Sequence, residues 1–300
     1  MTAANLRIPP CNLCMFFVLV LSSTLQAQNN EKNSNGDEEQ ALVERWHKVY
    51  DEIIDSIQIA QSLPPNEGTN SSEKVELKRE TILSISNPAF KGLHGRVYLW
   101  TDRGRPVILG SIKSANADEF PGNRRVRYAF NSLSQYPVTA GRNDKIYWNC
   151  EVPGVQWQSD LEASVPSSIR TIRLTQMRTI ARDVNGEQLR LLTTPLYRYP
   201  EETPDVTDGA IFGLARSGTN PRIFLLIEAR HNKWYLSCAM SNVEKLSLMK
   251  GTKLIGSFDY VADHNIFQTK PWYQMVNAEQ RPSNDPNTIL FEAWTRNGNR

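Results

Sequence analysis

Two charged side chains stand where the surrounding pattern calls for apolar ones. Ile169, Leu174, Met177, Ile180, Ala181 and Val184 recur at helical spacing and form an apolar arc, and Arg173 projects from within it, with Arg170 beside it. Phe224, Leu226, Glu228 and Arg230 share one face of a strand that is apolar on both faces, the pattern of a central strand. A guanidinium turned towards a core needs a carboxylate or several carbonyls, and an ionised carboxylate there needs a cation. Two chemistries follow. In the first, Glu228 pairs with Arg230, Arg170 or Arg173, and a buried Arg173–Glu228 pair locks helix to sheet. In the second, these residues form a polar pocket for a small charged ligand, or a general acid/base site with Asp208 as the second carboxylate. Buried pairs perturb ionisation without catalysis, so the structural pairing is the first expectation.

No familiar catalytic signature accompanies them. The chain has no G-x-S-x-G, H-E-x-x-H or Walker loop, and His47, His94, His231 and His264 are too scattered to suggest metal-ligand spacing. Neither metal nor cofactor is expected. Cys150 shares a strand face with Ile146 and Trp148, and Cys238 shares one with Trp234, Leu236 and Met240, so both thiols are expected to point into the core. They fit two buried free cysteines or a disulfide, and spacing alone does not supply the Cα separation that a bridge demands. Most of the tryptophans lie on alternating strands and read as core. Trp157, in a polar Gly/Pro loop, and Trp272 with Tyr273, after Pro271, are the better surface platforms for a sugar.

The elements that must position these residues read as α+β. Asp37 caps a first helix, whose stripe of Leu42, Trp46, Val49, Tyr50, Ile53, Ile57 and Ala60 runs up to Pro64 and Pro65. A polar linker at 66–72 follows. Strand patterns occupy 75–85, 96–100, 107–112, 125–133 and 146–150, with Asp102-Arg103-Gly104 as a hairpin turn. Ser167 or Ser168 caps a second helix at 169–184, which Asn185-Gly186 ends. Further strands read at 189–192, 196–199, 210–215, 222–229, 234–240, 254–260 and 289–295. The expectation is an antiparallel, sheet-rich body with two main amphipathic helices in a single domain at 37–300. Helix plus three-strand meander recurs, so 37–150 and 160–300 could be similar halves.

The blocks SNP at 86–88, GRVYLWTDRGRP at 95–106, LTQMR at 174–178, LLTTPLYRY at 191–199 and DGAIFGLARSGTNPRIFLLIEAR at 208–230 resemble a family of uncharacterised exported proteins from planctomycete bacteria. The resemblance covers most of the chain after the leader. It implies export and carries no activity, ligand or catalytic residue with it.

The start of the chain points the same way. Arg7, an apolar run at 13–21 and a small-residue exit ending at Ala27 have the order of a secretory signal peptide, and the run is too short to span a bilayer. Residues 28–36 are polar and expected to be disordered. No later segment is apolar enough to span a membrane. The chain has 34 Lys+Arg against 32 Asp+Glu, and the leader holds only Arg7, leaving a net charge of +1 that argues against a nucleic-acid partner. The expected product is an exported (periplasmic or secreted) soluble protein. It reads as a noncatalytic binding or envelope-associated module with a small-molecule or cell-envelope ligand. The alternative is a periplasmic or secreted hydrolase with a carboxylate-based site around Glu228. N-terminal sequencing of exported protein should find a start near Gln28; an intact Met1 leader on membrane-bound protein would refute cleavage.

Overall fold

A helix, α1 (38–55), opens the described part of the chain. The computed structural model describes residues 38–63, 74–87, 89–143, 145–159, 161–186, 188–241, 245–258 and 271–292. The leader, the 28–36 tail, Asp37, Pro64 and Pro65, the 66–72 linker, Pro88, His264 and Trp294 lie outside them. Contacts divide the chain into units of 1–46 and 47–300, with the boundary inside α1. Residues 38–46 of the first unit are helical, and the second unit carries the rest of α1 and every sheet.

The helix is shorter than its apolar stripe predicts. It stops at Asp55, where Ser56 Oγ donates to the Ile53 carbonyl at 2.6 Å and draws off an acceptor at the helix end. The chain then enters β1 (Gln58–Ser62), and Ala60 pairs with Thr139 in a ladder instead of continuing the helix. Strand pairing overrides the helical spacing at that point.

Sixteen further strands follow in chain order. They are β2 (Lys74–Val75), β3 (Lys78–Asn87), β4 (Leu93–Asp102), β5 (Arg105–Asn116), β6 (Asn123–Ser132), β7 (Val138–Arg142) and β8 (Lys145–Cys150). After α2 (Arg170–Arg182) come β9 (Val184–Gly186), β10 (Arg190–Arg198), β11 (Asp208–Ala215), β12 (Pro221–Arg230) and β13 (Lys233–Met240). The last are β14 (Leu246–Lys250), β15 (Lys253–Phe258), β16 (Trp272–Pro282) and β17 (Phe291–Glu292). They form four antiparallel sheets, ordered β2-β1-β7-β8, β17-β16-β6-β5-β4-β3, β10-β11-β12-β13 and β15-β14-β9. The α+β, sheet-rich class read from the pattern is therefore the class of the fold.

Several boundaries differ from expectation. The second helix starts at Arg170 on an Ile169 cap without a side-chain capping bond, and it ends at Arg182. Ser167 Oγ accepts from the Ile169 N–H instead. Residues 184–186 form β9 where a helix end was expected. The segments either side of Pro195 are one strand, β10, with an irregularity between Leu192 and Tyr197. Within 289–295 the described strand is only Phe291–Glu292. Strands β7, β14 and β16 lie where no strand was expected, and β16 buries Trp272 and Tyr273, which removes them as surface platforms. Both long meanders, β3 to β6 and β10 to β13, follow a helix. Only the first is extended by C-terminal strands, so the topology adds nothing to the idea of two similar halves.

The six-stranded sheet and the β10-β11-β12-β13 sheet, hereafter the four-stranded sheet, pack face to face. Val97, Leu99 and Leu109 on one side share a buried cluster with Ile211, Phe224 and Leu226 on the other. Each such side chain contributes about 1.5–3 kcal/mol when fully buried. On the far face of the six-stranded sheet sit Tyr50 and Asp51 of α1. Asp51 accepts hydrogen bonds from Arg96 and Tyr98, while Tyr50 Oη lies 2.8 Å from His94 Nδ1. Trp148 of β8 stacks on Phe130 there at 6.0 Å. Helix α2 covers the outer face of the four-stranded sheet with Met177, Ile180 and Ala181.

Two polar crossings bracket the apolar interior. At one end Arg105 of β5 reaches Glu228 of β12. At the other end Lys113 of β5 donates to Ser241 Oγ at 2.8 Å and to the Ser241 carbonyl at 3.2 Å. No carboxylate pairs with Lys113 among the described residues. Burial, with Arg222 and Arg127 nearby, brings its ammonium down to about 7. In the unfolded chain the group titrates near 10.5, so between those limits the unfolded chain binds the proton and the fold does not. Stability should therefore rise with pH from about 7 towards 10, by at most about 1.4 kcal/mol per unit. Denaturant melts at pH 7 and 9 should show that rise in the native protein and a flatter profile in Lys113→Met. Equal slopes would mean that Lys113 stays charged in the fold.

Candidate functional site

The two carboxylates singled out in the sequence lie on opposite faces of one sheet. Across β11 and β12, Asp208 pairs with Ala229 and Gly209 pairs with Glu228. Residues directly opposite share a face and neighbours along a strand alternate, so Asp208 faces α2 while Glu228 faces the six-stranded sheet. The helix therefore cannot reach Glu228, and the Arg173–Glu228 pair expected from sequence does not form.

Arg173 pairs with Asp208 instead. Its Nε donates to Asp208 Oδ2 at 3.0 Å, and its Nη1 donates to the Ser167 and Ser168 carbonyls at 2.9 Å each. Asp208, 2% exposed, also accepts from Arg198 Nη2 at 2.8 Å and from the Gly209 N–H at 3.0 Å. Arg198 Nη2 donates in turn to the Arg170 carbonyl at 2.6 Å. One carboxylate thus fixes the start of α2 to β10 and β11. Arg170 itself turns away to Glu201, at 3.0 Å, and to the Tyr199 carbonyl, at 2.7 Å.

Glu228, 1% exposed, gathers a different set. Its Oε1 accepts from Tyr199 Oη at 2.9 Å, and its Oε2 accepts from Arg105 Nη2 at 3.3 Å and from Arg230. Burial and the Glu228 carboxylate push the Tyr199 phenol well above its ordinary range. Gly209, opposite Glu228, makes room for this arrangement: a Cβ there would lie 2.6 Å from the Tyr199 ring. Of the five residues read as one cluster, the structure brings together Arg173 with Asp208, and Arg230 with Glu228. Arg105, Arg198 and Tyr199 complete the two sets. They escaped notice because each is an ordinary strand-end residue whose role depends on which strands face each other.

Cys150 and Cys238, the cysteines among the described residues, are free thiols. Cys150 is buried and donates to the Val152 carbonyl at 3.3 Å, whereas Cys238 is only half-buried and faces Gly256 of β15. Cys150 belongs to the layer on the far side of the six-stranded sheet, and Cys238 to the outer face of the four-stranded one. Layers stack roughly 10 Å apart, and a bridge needs Cα atoms within about 7 Å, so no disulfide joins them. Burial pushes the Cys238 thiol up to about 12.

Arg105 is the member of the Glu228 set that reaches the surface. Its side chain is 33% exposed and lines a cleft of about 220 Å³. The cleft is walled by the tip of the β4–β5 hairpin, the 133–136 loop, Trp157 and Pro204 with Asp205. In the hairpin Arg103 and Gly104 both have left-handed backbone, φ 44° and 81°, the two-residue turn for which glycine is suited. Tyr197 Oη donates to the Gly104 carbonyl at 2.8 Å and pins the tip. Arg230 lies 4.3 Å over the Trp157 ring and 4.9 Å over that of Tyr235, which holds Trp157 in place. Behind the cleft Gln61, 5% exposed, donates to Ser134 Oγ at 2.6 Å, and its Oε1 has no hydrogen-bond partner among the described residues. A buried polar atom left unmatched costs free energy unless a ligand or water meets it.

Two other concave places are less suited to a ligand. A depression of about 480 Å³ between the end of α2 and β14–β15 is walled by Arg182, Lys250, Lys253 and Glu162 and has no aromatic wall. The Lys113–Ser241 contact joins a buried amine and a hydroxyl, yet the adjoining cavity measures about 20 Å³. That is room for about one water and not for a substrate.

Asp208→Asn should cost about 3–5 kcal/mol in urea melts, because it leaves Arg173 without its carboxylate. Arg173→Met should cost less, about 1.5–3 kcal/mol, because Arg198 still matches Asp208. Their double mutant should lose less than the sum, whereas Arg173→Met with Glu228→Gln should be closer to additive. The reverse ordering of the two couplings would contradict the assigned partners.

Comparison with protein families, with curated proteins and with solved structures finds no match for this chain.

Proposed function

We propose that this protein is an exported, noncatalytic binding module that holds a small polar ligand in the cleft beside Arg105. The observation that carries the reading is the cleft itself: an aromatic wall, exposed and partly exposed cations, and a buried amide oxygen with no hydrogen-bond partner among the described residues converge on one concave place. Export rests on the leader-like first 27 residues and on the resemblance to exported planctomycete proteins. Among the described residues no helix is long and apolar enough to cross a membrane.

Glu228 supports binding over hydrolysis. A general acid or base must reach the proton that it moves. Glu228 lies behind Arg105, both its oxygens accept hydrogen bonds from protein groups, and it does not line the cleft. Its work is to hold Arg105 and Arg230 in place.

Native mass spectrometry of protein recovered from the exported fraction should reveal a small-molecule adduct that Tyr136→Ala weakens. The purified adduct, added back at about 100 times its Kd, should stabilise the fold by about 2.7 kcal/mol and leave chemically unchanged. Conversion of the adduct by the native protein, abolished in Glu228→Gln, would refute the noncatalytic reading and favour the hydrolase. An adduct retained in full by Tyr136→Ala would place the site elsewhere.

A further inference from the structure

Resting on that reading, we propose that the cleft takes a neutral saccharide, one sugar ring seated against Trp157 and Tyr136. The first argument is the aromatic wall. Trp157 is half-buried, and its ring is held from one side by Arg230, itself clamped by Glu228 and backed by Tyr235. Tyr136 stands 42% exposed on the same wall. A rigid aromatic surface suits the C–H face of a pyranose, which is apolar although the ring's edge is polar.

The second argument is charge. Arg103 and Arg105 line the cleft with Asp102 and Asp205, two cations against two anions. Behind them Glu228 is matched by Arg230. A charged ligand would meet as much repulsion as attraction. A hydroxyl donates to a carboxylate and accepts from a guanidinium, so neighbouring hydroxyls of a neutral sugar can use both signs at once. The Gln61 amide and the Ser134 hydroxyl extend the same mixed donor and acceptor set along the wall. The third argument is size: about 220 Å³ lies just below the usual range of about 300–1,000 Å³ for ligand sites and suits a single ring better than an extended chain.

The test is titration of the leader-free protein with glucose, galactose, mannose and N-acetylglucosamine, followed by calorimetry and tryptophan fluorescence. Galacturonate, glucosamine, succinate and leucine serve as charged and non-sugar probes. At least one neutral sugar should bind saturably, with Trp157→Ala raising its Kd by about tenfold or more. Because Trp157 also supports the core, Tyr136→Ala provides a second variant, and it should weaken the same sugar while keeping the native melting profile. Saturable binding confined to the charged or non-sugar probes and lost in Tyr136→Ala would overturn the saccharide and leave the cleft reading standing. Binding of none of the probes, or sugar binding that neither variant weakens, would also overturn it.

Discussion

A carboxylate withdrawn from water has to be matched by charge and hydrogen bonds within the protein, and Glu228 is matched from both sides of the sandwich. Arg105 comes from the six-stranded sheet, and Tyr199 and Arg230 come from the four-stranded one. The apolar contacts between the sheets are non-directional and would tolerate a slide of one sheet over the other. The Glu228 set resists such a slide, because Arg105 must stay within hydrogen-bonding reach of its carboxylate, as Lys113 must of Ser241 at the other end. Together the two crossings hold the register of the layers, and through Arg105 and Arg230 the Glu228 set also holds both walls of the cleft. Asp208 does the same work one layer out, where it ties the start of α2 to β10 and β11.

Much of the fold was legible because its signals are local. Period-two alternation marks β6 and β13, continuous apolar runs mark β4, β5 and β12, and Asp102-Arg103-Gly104 marks a tight hairpin. The missed strands have weaker local signals. Strand β7, VTAGR, contains a glycine and an arginine and is a strand because β1 and β8 pair with it on either side. Strand β16 is interrupted by a register shift between Met275 and Glu279. Helix α1 ends where it does because β7 offers β1 a ladder, a contact about 80 residues away along the chain.

The candidate site was legible in part. Glu228 stood out correctly as a charge on a core face, and so did Arg173 on its helix. What could not be read was which face of the sheet each would meet. The hairpin between β11 and β12 carries a register shift between Leu214 and Ala215. An irregularity of this kind adds a residue to one strand and inverts the facing of everything beyond it when residues are counted from the turn. Arg105 was hidden for a related reason. It lies at the end of a hairpin in the other sheet, and nothing in its neighbourhood signals that β12 passes opposite. The same layering separates Cys150 from Cys238, although each was correctly placed on a strand.

The position of β16 has a consequence for the order in which the chain can fold. Strands β3 to β6 are consecutive and can zip together as they are synthesised, each hairpin closing a short loop. The next neighbour of β6 begins at Trp272, some 140 residues later. Until that segment arrives, β6 presents a row of unpaired N–H and C=O groups, the kind of open margin at which chains associate wrongly. Its arrival also delivers Glu279, fully buried and paired with Arg281 of the same strand, to the Tyr128 hydroxyl. The last strand to reach this sheet thus brings its own charge partner, and a mispaired neighbour at the margin would not reproduce that matched carboxylate.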